Sequence, residues 1–62
     1  MIFQEEGPDD FVIRLSRDEV LLLNNALNEV CNAIEVWEFS TRLGSKREEA
    51  LEMLNEIGRA LA

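Results

Sequence analysis

Ser16-Arg17-Asp18-Glu19 divides this chain into two kinds of structure. A serine followed three residues later by glutamate is a capping box: the hydroxyl accepts from the Glu19 amide, and the carboxylate reaches back to the Ser16 amide. Asp18 and Glu19 also favour the positive end of a helix dipole. After the box, apolar residues recur at helical spacing. Val20, Leu23, Leu27, Val30, Cys31 and Ile34 fall on one side at about 100° per residue, and Leu22, Ala26 and Ala33 widen that side. A helix from about Arg17 to Ala33 is therefore predicted. Before the box the period changes. Phe11, Ile13 and Leu15 alternate with Val12 and Arg14, the pattern of a strand with one apolar face. Met1 to Glu5 reads as its partner, joined through the turn residues Gly7-Pro8-Asp9-Asp10. A two-stranded hairpin is marginal alone, so a helix is expected to cover its apolar face.

The predicted helix carries an unusual cargo. Asn24, Asn25, Asn28 and Asn32 lie within it, and Asn24, Asn28 and Asn32 share one stripe at i, i+4, i+8. Asparagine costs a helix roughly 0.6 kcal/mol relative to alanine, because its side chain competes for backbone hydrogen bonds. Leu21 falls among these amides on the polar face rather than with the other leucines. A stripe of uncharged donors and acceptors around one apolar side chain suits directed contact with a partner. The structural alternative is that the amides bond the connector that follows.

That connector, Ile34 to Thr41, alternates like a strand over Ile34 to Phe39 and reads equally as a short helical turn over Trp37 to Leu43. The helical reading is adopted. Gly44 suits the left-handed position after a helix, and Ser45-Lys46-Arg47-Glu48 forms a second capping box. The last helix is predicted from about Lys46 to Leu61, with Ala50, Leu54, Ile57 and Leu61 on its apolar side. The fold class is thus α+β: an N-terminal two-stranded β-hairpin packed on two main α-helices joined by a short helical or irregular connector, in one domain spanning residues 1–62.

Charge and chemistry narrow the function. Net charge is −7, from 13 acidic and 6 basic residues. The imbalance sits in residues 1–40, where nine acidic residues face Arg14 and Arg17; residues 41–62 balance. Such a field repels phosphate and anionic lipid and attracts basic protein surfaces. Arg42, Lys46 and Arg47 around the Gly44 turn mimic the start of a DNA recognition helix, but Glu48 and Glu49 follow at once. Nucleic acid is not expected as a partner. The start of the chain lacks the basic and apolar regions of a signal peptide, and no apolar run approaches the ~20 residues that span a bilayer. A lone cysteine suits a reducing cytoplasm.

With no histidine and no tyrosine, acid–base chemistry falls to carboxylates, Lys46 and Cys31. Glu48, Glu52 and Glu56 share a helix face and would bind a cation only if other ligands converged there; a solvated face is expected. Cys31 reads as a buried thiol. No phosphate-binding glycine loop exists, since Gly7, Gly44 and Gly58 are far apart. Neither an enzyme nor a cofactor is expected. Phe39 reads as core; Trp37 does so less strongly and is kept as a contact residue.

Several segments carry a resemblance. Leu15-Ser16, Leu23 to Val30, Glu38 to Gly44 and Arg47-Glu48-Glu49-Ala50 resemble a group of small uncharacterised bacterial proteins, some of them immunity-like, that is, able to bind and neutralise a toxin. The resemblance covers residues 13 to 57 and contains no known active-site motif. It implies a bacterial, cytoplasmic, partner-binding protein. The expected function is protein–protein interaction through Leu21, Asn24, Asn25, Asn28, Asn32 and Trp37 with a protein partner, a basic one by charge. The alternative is a homo-oligomeric structural module, with a helix-turn-helix DNA-binding regulator ranked third. A homodimer is expected in either case, because a chain this small without staples often gains stability by association. The helices are the expected interface, with Leu21, Leu22, Met53 and Trp37 left over from the core.

Overall fold

The computed structural model describes all 62 residues, and its elements run β1 (Ile2–Gly7), β2 (Asp10–Arg14), α1 (Arg17–Ala33), α2 (Val36–Leu43) and α3 (Arg47–Leu61). The class is α+β, as the sequence predicts. β1 and β2 pair antiparallel, with Phe3 opposite Ile13 and Glu5 opposite Phe11 on one face, and Ile2 opposite Arg14 and Gln4 opposite Val12 on the other. Pro8 and Asp9 make the turn. Neither has a positive φ, which excludes the mirror-image turns that match strand twist most closely. The register shifts between Glu5 and Gly7 instead, so a bulge at Glu6 absorbs the mismatch.

The Ser16 box forms as its residues dictate. The Glu19 amide donates to Ser16 Oγ at 3.2 Å, and the Ser16 amide donates to Glu19 Oε1 at 2.8 Å. α1 ends where Ile34 turns extended, and α2 ends at Gly44, whose φ of 72° is the left-handed conformation that glycine adopts without strain. The second box does not form. α3 begins at Arg47 with Lys46 as its cap and no side-chain capping bond. The Ser45 hydroxyl donates to the Glu49 carboxylate rather than accepting from a helix amide.

α1 and α3 pack against each other, and α2 closes over α3. The core is small: Cys31 from α1, Phe39 from α2 and Ala50 from α3, with Val30, Ile34 and Leu51 around them. Phe39, only 1% exposed, fills the centre as expected. Two expectations fail on burial. Leu22, Ala26 and Ala33 do not widen the buried face of α1, and Leu23 is 41% exposed. Leu22 is 70% exposed, in line with its other reading as a residue left over from the core, because it lies about 200° around the helix from Val20 and no element covers that side. The hairpin is not covered by a helix either. Neither strand packs against α1, α2 or α3, and every strand residue except Gly7 is exposed. Its tie to the helices is an ion pair from the Met1 ammonium to Glu19 at 3.3 Å.

Candidate contact surface on α1 and α2

Helix α1 presents its asparagines along one flank. Leu21, Asn25, Asn28 and Asn32 are exposed, whereas Asn24 is half-buried, sharing the side of Val20, Leu27 and Cys31 that faces inward. Leu21 and the amides thus lie beside the buried stripe rather than opposite it. Two of the amides are coupled. Asn32 Nδ2 donates to the Asn28 backbone carbonyl at 2.7 Å and to Asn28 Oδ1 at 3.3 Å. That pairing holds both side chains along the helix and leaves Asn32 Oδ1 free to accept. Asn24, Asn25 and Asn28 donate no hydrogen bond to residues 34–41, so the amides do not anchor the connector.

The stripe ends at a shallow depression of about 300 Å³ lined by residues 31–36 and Arg47. Its position follows from the backbone. Ile34 and Glu35 are extended between two helices, and the chain reverses around the end of α1. Arg47, the first residue of α3, is half-buried at this point, and its Nε donates to the Cys31 carbonyl at 2.8 Å. The carbonyls of a last helical turn lack intrahelical partners, and a guanidinium from the neighbouring helix satisfies one here. Val36, on the lip of the depression, is exposed. Trp37, next to it in the first turn of α2, is 78% exposed, the highest value among the large apolar side chains.

The structure thus brings Asn32 to the depression and leaves Leu21, Asn24 and Asn25 further along α1, toward its start. Sequence reasoning missed Arg47 as part of this surface. The residue stood out only as a cation near a turn, and its bond to Cys31 depends on the docking of two helices. Cys31 itself is buried and free of any disulfide. Glu48, Glu52 and Glu56 are exposed on α3, and no three His, Cys, Asp or Glu side chains converge.

One titrating group departs from its ordinary behaviour. The Glu19 carboxyl is held below the usual carboxylate range, first by the Ser16 backbone amide and then by the chain's terminal ammonium and the Ser16 hydroxyl. Each favours the charged form. No helix is long and apolar enough to cross a membrane. Comparison with protein-family models, with curated proteins and with solved structures found no match.

Proposed function

We propose that this chain is a bacterial, cytoplasmic protein-binding module, and that the protein it binds is a basic toxin which it neutralises. The observation that carries this reading is the exposure of Trp37. A tryptophan held on a short rigid helix, beside exposed Val36 and a depression with hydrogen-bonding groups, supplies the kind of anchor that dominates protein interfaces. The asparagine stripe adds adaptable donors and acceptors along the approach. The net charge of −7 steers a cationic partner toward the surface.

An immunity protein is encoded beside its toxin, which makes the reading testable. Titration calorimetry of the purified chain with the product of the neighbouring gene should show a stoichiometric complex. Trp37→Ala should weaken it at least tenfold while the circular dichroism spectrum stays helical. Co-expression should protect growth from that product. No binding and no protection would remove the reading.

A further inference from the structure

We propose that the apolar face of the β-hairpin is buried against the same face of a second copy of this chain, related by a two-fold axis. The face is built by register. Phe3 pairs with Ile13, and Phe11 projects from the same side; all three are about half exposed or more. Met1 and Leu15 continue the same alternation at the open end. No element of the chain reaches this face.

The size of the uncovered surface suits a second copy. The chain exposes 5116 Å². A compact monomer of its 7.1 kDa mass exposes roughly 4,100 Å². The excess is about 1,000 Å² per chain, shared between the hairpin and exposed helix residues such as Leu22 and Trp37; a specific pairing needs about 1,000 Å² in total, or about half of that excess from each chain. The Cα radius of gyration, 12.9 Å, likewise exceeds the roughly 10.5 Å of a compact domain of this length.

The need for cover is also permanent. Two strands with one apolar face are marginal in water, so the cover must be present whenever the chain is folded, including before any outside partner arrives. A second copy meets that condition. Association with a two-fold axis is the commonest closed arrangement. Glu5, opposite Phe11, is the one carboxylate on this face; stacking the hairpins with their tips at opposite ends sets Glu5 of each copy at the rim of the interface and keeps Glu5, Glu6, Asp9 and Asp10 of one copy away from those of the other. Trp37 and the asparagine flank lie on the helices and remain free, so the pairing does not depend on the binding of an outside partner.

The test uses the full chain. Sedimentation equilibrium across the micromolar range should give twice the chain mass. Isotope-filtered NOE spectra on a mixed labelled and unlabelled sample should show contacts between chains from the Ile13 methyls to the Phe3 and Phe11 rings. Phe11→Lys should weaken the dimer at least thirtyfold. If that variant fails to fold, the NOE spectra of the unaltered chain decide. A monomer at every concentration overturns the proposal. So does a dimer whose contacts between chains lie on the helices, or a hairpin whose NOEs run only to its own α1 or α3.

Discussion

Arg47 and Cys31 are joined at the end of α1 where the chain reverses, the guanidinium Nε 2.8 Å from the carbonyl oxygen. The opposite end of the helix pair has a counterpart: Arg17 Nη2 donates to the Leu61 carbonyl at 3.0 Å. Both arginines are the first residues of their helices, and both accepting carbonyls lie at or near the last turn of the other helix. The antiparallel pair is therefore clamped at its two ends by the same device.

The two clamps differ in burial, and that sets their relative weight. A hydrogen bond from a charged donor contributes about 1.5–3 kcal/mol when shielded, and far less when open to water. Arg47 is half-buried, while Arg17 is exposed. Arg47→Ala should lower the urea midpoint by an amount equivalent to about 1–2 kcal/mol, and Arg17→Ala by less than about 0.5 kcal/mol. Arg47→Lys should recover little, since an ammonium lacks the planar fork. Equal losses at the two arginines would show that burial does not decide their worth.

Phe39 carries the core almost alone. Truncating a buried phenylalanine to alanine costs about 3–5 kcal/mol, which matches all that a core of this size supplies. Phe39→Ala should be unfolded at 25 °C by far-UV circular dichroism. Phe39→Leu should fold and melt at a lower temperature.

Asn24 separates stability from recognition. It lies half-buried among Val20, Leu27 and Cys31 and makes no side-chain hydrogen bond. Asn24→Leu should stabilise the fold by about 1 kcal/mol through added apolar burial. Under the partner-binding reading, the same substitution, or Asn24→Ala with Asn28→Ala, should weaken binding of the partner in calorimetry. Unchanged affinity in both variants would detach the asparagine flank from function.

Acid stability should depend on Glu19. Its pKa in the folded chain is depressed, so the unfolded chain binds its proton first as pH falls. The contribution is complete above the unfolded carboxylate range and is lost as pH drops through the lower folded value. Glu19→Gln should therefore flatten stability on the acid side of pH 5, in the ordinary carboxylate window, and leave the slope near neutrality unchanged. Thermal melts between pH 2 and pH 7 would cover about the whole window.

Salt should strengthen the proposed pairing. Each chain brings a charge of −7, and exposed charges more than about 10 Å apart are largely screened at 0.1 M ionic strength. The dimer dissociation constant should fall as sodium chloride rises from about 0.02 to 0.5 M. Binding of a basic partner should weaken over the same range, so the two associations separate by the sign of their salt dependence.

Local signals made the helices legible. The Ser16 box placed the start of α1, Gly44 placed the end of α2, and the periodicity of α3 gave its buried side. Apolar character alone misled at Leu22, because a residue is buried only where a neighbour covers it, and this chain is too short to cover α1 all round. Ser45 misled because Glu49 offered its hydroxyl a competing acceptor. The exposure of the hairpin was likewise invisible, since its alternation states what the face needs and not whether this chain provides it. Of the candidate site, Trp37 and the asparagines were readable as residue types at a spacing. The Arg47–Cys31 bond was not, for it joins residues 16 apart through the docking of two helices.

The paired clamps also dictate where such a chain can change length. Residues inserted into α1 or α3 would carry one arginine out of reach of its carbonyl, at 1.5 Å of rise for each added residue. The hairpin turn at Pro8-Asp9 and the loop after Gly44 lie outside the distance that the clamps fix. Natural variation and grafted peptides should therefore accumulate at those two bends, while α1 from Arg17 to Cys31 and α3 from Arg47 to Leu61 keep their counts.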